Sequence, residues 1–343
     1  MSNHTTLRFG VVGVGHIGRR HLQVLDQEPE AELAAYCDTN AAHLDRYREQ
    51  YPDARAYSSL TEMLAAEPAL DIVCICTPHG LHAEQAIEVA QAGKHILVEK
   101  PMALTIGDSK RMIAAAQEAG VRLFVVKQNR YNKPVALVKK AIDDGALGRI
   151  HMVQCNVMWN RHQGYYNDSP WRGDRDLEGG ALQTQVSHFI DLLVWWLGPL
   201  TDARALLDTV GHDIEIEDVG VAALRFESGT LGSLLWTTCV YNVNYEGSIT
   251  ILAENGTIKI GGKYLNEIEF WDVKSYPLPS DEVFDDRPND YGKYKGTSSN
   301  HDKLIHQLVG QVIESRKGVV EGAEGMKTIQ AIQMIYGAAG VVL

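Results

Sequence analysis

Regular alternation between short apolar runs and longer amphipathic stretches restricts the fold of the first 125 residues more than any other feature. The apolar runs lie at residues 7–13, 32–37, 71–76, 95–98 and 122–126. Stretches of helical length and period separate them, at residues 17–26, 41–51, 60–67, 82–92 and 106–119. Strands joined by helices need right-handed crossover connections, which produce a parallel sheet. We therefore predict an α/β domain with a doubly wound parallel sheet, of the Rossmann type, over residues 1–125.

The pattern changes at about residue 150, where strand-like runs follow one another directly. These runs lie at residues 151–159, 219–226, 230–241, 247–253, 256–260 and 267–273, with hairpin-type turns at 227–229 and 254–256. A long helix is predicted at 181–197, a long loop at 276–300, and closing helices at 302–316 and 321–342. We therefore predict an α+β domain over residues 126–343 with a large, open, mostly antiparallel sheet. Its last helix is expected to pack back on the first domain.

Charge and cysteine content narrow the class of protein. The 343 residues include 32 basic and 44 acidic side chains, so the net charge is −12 with histidine neutral. An acidic surface disfavours binding to nucleic acid or anionic membranes, although a local basic pocket can still hold a phosphate. No apolar run is long enough to span a bilayer, and the polar start does not read as a secretory signal. The five scattered cysteines favour buried, reduced thiols and no metal site. We expect a cytoplasmic protein that acts on small molecules.

Three glycines between the first predicted strand and helix have the spacing of a dinucleotide-binding motif. Gly13 permits a tight turn, Gly15 lets a pyrophosphate approach the backbone, and Gly18 lets helix and strand pack closely. The N-terminus of the following helix directs N–H groups at the phosphates. Asp38 ends the second strand, 20 residues after Gly18, where a carboxylate binds the ribose 2′-hydroxyl. Because Asp38 would repel a 2′-phosphate, we predict NAD rather than NADP as the cofactor.

Two further segments carry candidate catalytic side chains. Lys100 follows the fifth predicted strand, where ligands bind to parallel sheets, and it would face the nicotinamide. A lysine whose pKa falls towards neutrality can remove a proton from a hydroxyl group. On the predicted helix 181–197, helical spacing places Thr184, His188 and Asp191 on one face. Taken singly, a lysine at a strand end is more often solvated, and a histidine on such a helix is more often part of the core.

The chain resembles the glucose–fructose oxidoreductase/inositol dehydrogenase (Gfo/Idh/MocA) family in its motifs and in their order. These motifs are the glycine motif, Asp38, Glu99-Lys100-Pro101 and the Gly-Gly…His-x-x-Asp segment. The resemblance covers essentially the whole chain. It implies that Lys100 and His188 flank the reacting sugar carbon. Many members of the family have an aspartate four residues before the histidine, where this sequence has Thr184. The missing carboxylate disfavours a dehydrogenase of inositol or of a simple sugar.

With Thr184 at that position, the chain is similar to the WlbA-like group of UDP-N-acetylglucosaminuronate 3-dehydrogenases, which belong to surface polysaccharide (lipopolysaccharide) pathways. Segments 127–132, 165–173 and 244–248 extend the similarity. It implies NAD-dependent oxidation of the C3 hydroxyl of a UDP-N-acetylhexosaminuronate. It also implies reoxidation of bound NADH by a 2-oxo acid and a homodimer or homotetramer formed through the C-terminal sheet. An NAD-dependent dehydrogenase of a free sugar, sugar acid or inositol, and a non-catalytic NAD-binding protein, are the alternatives.

The motifs and this resemblance together assign three groups of site residues. The predicted catalytic residues are Lys100, His188 and Thr184. The predicted cofactor-binding residues are Gly13, Gly15, His16, Ile17, Gly18, Asp38, Thr39, Thr77, Pro78, His82, Glu99, Lys100, Gln128, Trp171 and Arg172. The predicted substrate-binding residues are Lys100, Arg130, Arg161, Tyr165, Tyr166, Gln185 and His188. The arginines would supply charge for a diphosphate and a uronate carboxylate, and the tyrosines could stack on a uracil or a sugar. A surface loop with ordinary charges is the alternative for the last group.

Overall fold

The computed structural model describes residues 6–279, 288–290, 295–298, 300–314 and 318–341. These residues form two compact units. The first contains the described residues up to Lys127 together with those between His301 and Met326, and the second contains those in 128–300 and 327–343. The described residues of 301–326 thus belong to the first unit, although they lie between the two segments of the second unit in the sequence.

The first unit is built on a parallel sheet whose strands alternate with helices. Its strands are β1 (Leu7–Val12), β2 (Ala31–Cys37), β3 (Arg55–Tyr57), β4 (Ile72–Ile75), β5 (His95–Val98) and β6 (Leu123–Val125). The helices between them are α1 (His16–Leu25), α2 (Ala41–Arg48), α3 (Leu60–Ala66), α4 (His82–Gln91) and α5 (Ile106–Glu118). All paired strands are parallel, in the order β3-β2-β1-β4-β5-β6, which confirms the doubly wound prediction. The order reverses at β1, so the carboxyl ends of β1 and β4 open the crevice at which such sheets bind ligands.

The second unit contains a seven-stranded sheet. Its helices are α6 (Lys133–Asp143), α7 (Gln163–Asn167), α8 (Ala181–Thr184) and α9 (Ser187–Leu197). The sheet strands are β7 (Ile150–Met158), β8 (Leu200–Asp208), β9 (Val219–Phe226), β10 (Leu231–Thr237), β11 (Glu246–Ala253), β12 (Gly256–Gly261) and β13 (Glu267–Val273). The order is β13-β12-β11-β7-β10-β9-β8, and only the β7–β10 pair among these strands is parallel. This confirms the mostly antiparallel sheet.

The chain closes with a two-stranded ribbon and two helices. The ribbon pairs β14 (Pro288–Asp290) with β15 (Lys295–Ser298), and the helices are α10 (His301–Ile313) and α11 (Gly322–Ala338). Within the first unit, α10 packs on α1, and the N–H of Val125 in β6 donates to the carbonyl oxygen of Val320 at 2.8 Å. The last strand of the parallel sheet therefore obtains a bonded partner from a segment almost 200 residues away along the chain.

Several local predictions were wrong. The predicted helix 181–197 is interrupted between Thr184 and Ser187, where the Val186 N–H donates to the carbonyl of Ala181 instead of to residue 182. The loop predicted at 276–300 contains the β14–β15 ribbon, and residues 280–287, 291–294 and 299 lie outside the described part of the chain. Strands β3 and β8 and helix α6 were not predicted. The ends predicted for the closing helices, at 316 and 342, also lie outside the described residues.

The core of the second unit lies between one face of its sheet and the helices. Trp236 of β10, Ile251 of β11 and Phe189 of α9 are among its buried members. Four of the five cysteines are buried as expected, whereas Cys239 is partly exposed because it lies beyond the end of β10. In the part of the chain that the structure describes, no helix combines the length and apolar character needed to cross a membrane.

Candidate active site

The glycine motif has the geometry that a dinucleotide requires. Gly13 has φ +79°, and its N–H donates to the carbonyl of Cys37 at 2.8 Å. A Cβ at Gly18 would lie 1.9 Å from the carbonyl oxygen of Gly13, so only glycine permits this approach. Gly15 caps α1 without a side-chain hydrogen bond, and a Cβ there would meet no atom within 4 Å. The space at this helix N-terminus therefore fits a pyrophosphate. Two more predicted residues begin the helix, the exposed His16 and the half-buried Ile17.

Asp38 anchors the glycine loop to the end of β2. Its Oδ2 accepts a hydrogen bond from the Val14 N–H at 2.9 Å and lies 3.0 Å from His43 Nδ1. Its Oδ1 accepts from the Asn40 N–H at 2.8 Å, next to the exposed Thr39. A carboxylate offers about four acceptor positions. These three contacts leave one position for a ribose hydroxyl, so the geometry is compatible with the predicted role.

The ends of β4 and β5 are tied together by a buried histidine. His82 Nδ1 lies 2.8 Å from the carbonyl oxygen of Pro101, and its Nε2 lies 3.0 Å from that of Thr77. Burial lowers the pKa of His82. The Thr77 hydroxyl donates to Gln85 Oε1 at 2.6 Å, next to the half-buried Pro78. His82 thus lies between the backbone segments that follow β4 and β5, and the half-buried Lys100 immediately precedes Pro101 in the second of them.

Glu99 belongs to a buried cluster that the sequence did not reveal. His21 of α1 and His301 of α10 place their Nε2 atoms 2.9 and 3.2 Å from Glu99 Oε1. Burial acts to raise the pKa of Glu99, but hydrogen bonds from the two histidines outweigh it and hold that pKa well below its ordinary value. The second oxygen, Oε2, accepts the N–H of Lys100 at 3.1 Å. The ionised carboxylate therefore fixes the backbone at the predicted catalytic lysine.

The second unit brings the predicted catalytic histidine to a predicted cofactor residue. Gln128 Nε2 lies 3.2 Å from His188 Nε2, and both side chains are buried. Thr184 lies in α8, just before the interruption, and its hydroxyl acts to lower the pKa of the nearby Glu178 carboxyl group. Burial raises the pKa of Glu178, whose Oε2 accepts the Gly173 N–H at 2.5 Å. A buried carboxyl group thus lies close to Thr184, the position at which the family resemblance led us to expect an aspartate.

Two buried guanidinium groups surround Tyr165. Arg172 lies 4.1 Å from the centre of its ring and donates to its carbonyl oxygen at 3.0 Å, while Arg161 lies 5.3 Å from the ring. Tyr166 packs edge-on against Tyr165 at 5.1 Å. The half-buried Trp171 lies 5.6 Å from the Arg172 guanidinium. Gln185 Nε2 is 3.5 Å from the Tyr165 hydroxyl. The structure therefore gathers most of the predicted substrate-binding residues into one group.

Arg130 has a different environment from these two arginines. Its Nε and Nη2 donate to the two carboxylate oxygens of Asp191 at 2.8 and 2.9 Å, and its guanidinium stacks over Trp195 at 4.6 Å. Asp191 also accepts from the Thr328 hydroxyl at 3.0 Å. Because this bidentate ion pair with Asp191 compensates its charge, Arg130 attracts a substrate anion less strongly. Its contact with substrate stays a prediction.

Another buried carboxyl group, Glu217, was also missed by the sequence analysis. Its Oε1 accepts the N–H of Leu182, in the first turn of α8, at 2.9 Å and the hydroxyl of Tyr336 at 2.8 Å. Burial raises the pKa of Glu217 to about 7. A Cβ at Gly180 would lie 2.6 Å from Glu217 Oε2, so the glycine allows the contact. No local spacing marks this residue, because its partners are distant in the sequence.

Comparison with known proteins shows the family to which the chain belongs. Residues 7–127 match the model of the GFO/IDH/MocA oxidoreductase family, NAD-binding Rossmann fold, and residues 135–259 match the GFO/IDH/MocA C-terminal domain. The chain belongs to this family. The predicted family resemblance and NAD as the cofactor are thereby confirmed.

Individual members of the GFO/IDH/MocA family resemble the chain to different extents. The WlbA dehydrogenase from Bordetella pertussis, solved with NADH and UDP-GlcNAcA, is 42% identical with a TM-score of 0.87, over 98% of this chain and 97% of that one. The WlbA enzyme from Chromobacterium violaceum, with the same ligands, is 38% identical with a TM-score of 0.90, over 99% and 95%. The 1-carboxy-3-chloro-3,4-dihydroxycyclohexa-1,5-diene dehydrogenase of Comamonas testosteroni is 31% identical over 67% of this chain. That match spans 58% of the Comamonas protein's own length.

Proposed function

We propose that this chain is an NAD-dependent dehydrogenase that oxidises the C3 hydroxyl of a UDP-N-acetylhexosaminuronate. The main support is the similarity, over nearly the whole of both chains, to two WlbA dehydrogenases solved with NADH and UDP-GlcNAcA. A relative at 31% identity is a dehydrogenase of a chlorinated cyclohexadiene diol. Family membership therefore supports oxidation of a CH–OH group, and the choice of a UDP-sugar rests on the two WlbA neighbours.

In the proposed reaction, Lys100 removes the proton of the C3 hydroxyl while the hydrogen on C3 leaves as hydride. NAD, when bound, supplies the acceptor for that hydride. His188 hydrogen-bonds the oxygen as it becomes a carbonyl, and Gln128, 3.2 Å from the imidazole, holds the ring in place. The product is the 3-keto sugar, and a 2-oxo acid is the proposed oxidant that restores NAD.

The anionic parts of the substrate are assigned to Arg161 and Arg172. Both guanidinium groups are buried, and both contact the ring of Tyr165. Charges interact more strongly in such a poorly hydrated place than in water, and a planar guanidinium matches a phosphate or carboxylate. Tyr165 and Tyr166 are the proposed contacts for the uracil or sugar. Arg130 is assigned a lesser part, because Asp191 already compensates its charge.

We also propose that the outer face of the large sheet joins copies of the chain in a homodimer or homotetramer. Leu231, Met152 and Leu252 occupy opposed positions on three adjacent strands, and each is more than 40% exposed. An exposed row of large apolar side chains is typical of an interaction surface. Light scattering during size-exclusion chromatography tests this, since Met152→Lys would be expected to reduce the mass to that of one chain.

A substrate panel tests the proposed reaction. The chain with NAD is given UDP-GlcNAcA, the neutral UDP-GlcNAc, a free sugar, a free sugar acid and myo-inositol, each with and without a 2-oxo acid. Reduced nicotinamide is followed by absorbance, and NMR identifies the oxidised carbon. Reduction with UDP-GlcNAcA and a carbonyl at C3 is expected. Faster reduction with a free sugar, sugar acid or inositol would replace the proposed substrate. NAD binding without reduction by any of them would favour a non-catalytic protein.

A further inference from the structure

The second unit contains a cluster of side chains that none of the proposed catalytic steps uses. His212 and Asp218 lie between β8 and β9, and Cys239 lies after β10. Asp218 Oδ2 is 2.9 Å from His212 Nδ1, and Cys239 Sγ is 3.8 Å from the same nitrogen. The three atoms all lie within 4.8 Å of one another. An imidazole nitrogen, a carboxylate oxygen and a thiol sulfur thus converge on one point.

Two of the three separations between these atoms are close to those between ligands of a tetrahedral metal ion. Zinc bonds of about 2.0–2.3 Å to nitrogen, oxygen and sulfur place neighbouring ligand atoms roughly 3.3–3.8 Å apart. The observed nitrogen–oxygen and nitrogen–sulfur distances lie within half an ångström of this range. We propose that His212, Asp218 and Cys239 form a binding site for a divalent cation of the zinc class. A thiolate ligand disfavours magnesium and calcium, which prefer oxygen.

Backbone hydrogen bonds arrange this site in advance. The N–H groups of Val210 and Gly211 donate to the two oxygens of Asp218, each at 2.9 Å. A Cβ at Gly211 would lie 2.7 Å from the Cys239 sulfur, so glycine permits the chain to pass this close to the thiol. Outer contacts of this kind orient metal ligands and tune their affinity. The three side chains would therefore need little movement to bind the ion.

The charges of the side chains also fit a cation. Hydrogen bonds from the N–H groups of Val210 and Gly211 favour the ionised form of the Asp218 carboxylate. His212 would bind through Nδ1 with its proton on Nε2. On binding, the S–H bond of Cys239 breaks, a sulfur–metal bond forms, and the proton passes to solvent. A water molecule can supply the fourth ligand.

The cation would stiffen the segment that supports the aromatic pair. The His212 ring lies 5.0 Å from that of Tyr166, and Ile214 and Ile216 pack against Tyr165 and Tyr166. A bound ion would join this segment to the end of β10 and so hold the tyrosines in one position. The site itself does not depend on the proposed function, whereas its effect on substrate affinity rests on it.

Zinc titration and thiol labelling of the full chain, prepared without a histidine tag, test the site. Cys239 is the one cysteine of the five that is not buried, so the native protein should react at one thiol. Calorimetry is expected to show one zinc ion per chain, and zinc should slow the labelling of Cys239 by about tenfold or more. Cys239→Ser and His212→Gln should each weaken zinc binding by at least the roughly 10–100-fold that is lost when an outer contact to a metal ligand is removed. Asp213→Asn, which changes an exposed carboxylate of the same segment, is the matched control and should bind zinc normally.

Each of these measurements has one outcome that supports the zinc site and one that overturns it. The absence of stoichiometric zinc binding, or binding that survives both substitutions at full strength, would overturn the site. Circular dichroism of each variant identifies misfolding, and two different ligand substitutions keep the test valid if one of them unfolds. The titration contains no sugar and no NAD, so a failure of the proposed reaction in the substrate panel would leave it unaffected. A zinc-dependent fall in KM, lost in Cys239→Ser, would support the link to the tyrosines.

Discussion

The buried carboxyl group of Glu217 makes stability depend on pH in a direction opposite to that of most acids. Burial raises its pKa to about 7 from an ordinary value of 4.5. Between these two values the folded chain holds a proton that the unfolded chain has released. The free energy of unfolding therefore falls as pH rises through this window. Glu217→Gln removes the titrating group and preserves the shape of the side chain, so it should stabilise the protein at alkaline pH.

The size of the effect follows from the width of the window. A shift of about 2.5 pKa units corresponds to about 3 kcal/mol at about pH 8 and to less than about 1 kcal/mol at about pH 5. The glutamine oxygen can still accept from both the Leu182 N–H and the Tyr336 hydroxyl. The new NH2 group at the position of Oε2 changes the hydrogen bonding there, at a cost of about 1 kcal/mol at either pH. Because this cost is the same at both pH values, it drops out when the change in unfolding free energy at the higher pH is compared with that at the lower pH.

Denaturant or thermal unfolding at both pH values measures the difference. For a unit of this size, 1 kcal/mol moves the midpoint temperature by roughly 2–4 °C, so the variant should gain about 5 °C or more at the higher pH relative to the lower. Glu215→Gln is the matched control, since it changes an exposed carboxylate two residues away. An equal change in stability at both pH values would show that Glu217 is ionised in the folded protein, and the reasoning from burial would be refuted.

Four further substitutions test the site. Lys100→Met should retain NAD binding and lose about 10²–10⁴ in turnover, and a loss of only a few-fold would assign the proton transfer to another group. Asp38→Ala should weaken the preference for NADH over NADPH in fluorescence titrations, whereas an unchanged ratio of the two dissociation constants would exclude its role at the ribose. Gly18→Ala should weaken NAD binding by about tenfold or more and lower the melting temperature, because the new Cβ would lie 1.9 Å from a carbonyl oxygen. Gly107→Ala, whose Cβ has an ordinary contact at 3.5 Å, is its control. Thr184→Asp should reduce kcat/KM for the UDP-uronate more than for the neutral UDP-sugar, since it adds like charge beside an anionic substrate. Equal losses on both substrates would contradict this explanation of Thr184.

Local patterns predicted much of the fold because the relevant signals are local. Apolar runs and helical periods located five of the six strands of the parallel sheet, and glycine spacing located the loop before α1. Strand β3 has three residues and no apolar run, so it carries no such signal. Strand β8 is rich in alanine and leucine, which favour a helix, and its conformation is decided by pairing with β9.

The supporting carboxylates of the candidate site could not be predicted, because their partners are brought together only by folding. Glu99 and His301 are 202 residues apart, Arg130 and Asp191 are 61 apart, and Glu217 and Leu182 are 35 apart. Each partner, viewed alone, is an ordinary charged or polar residue. The prediction that Thr184 and His188 share a helix face assumed one continuous helix. The helix is interrupted before Ser187 because the Val186 N–H bonds the Ala181 carbonyl, and no residue in the segment predicts that bond.

Because residues 301–326 belong to the first unit, that unit can be completed only late in synthesis on the ribosome. When residue 127 emerges, the parallel sheet still lacks the Val320 carbonyl that bonds β6 and the His301 ring that holds Glu99. The first unit must therefore remain incomplete, with β6 lacking its bond to Val320 and Glu99 lacking its contact with His301, until residues 128–300 have been synthesised. Gene fusions or truncations that end near residue 127 would remove this late closure, whereas insertions that keep both segments in one chain would preserve it.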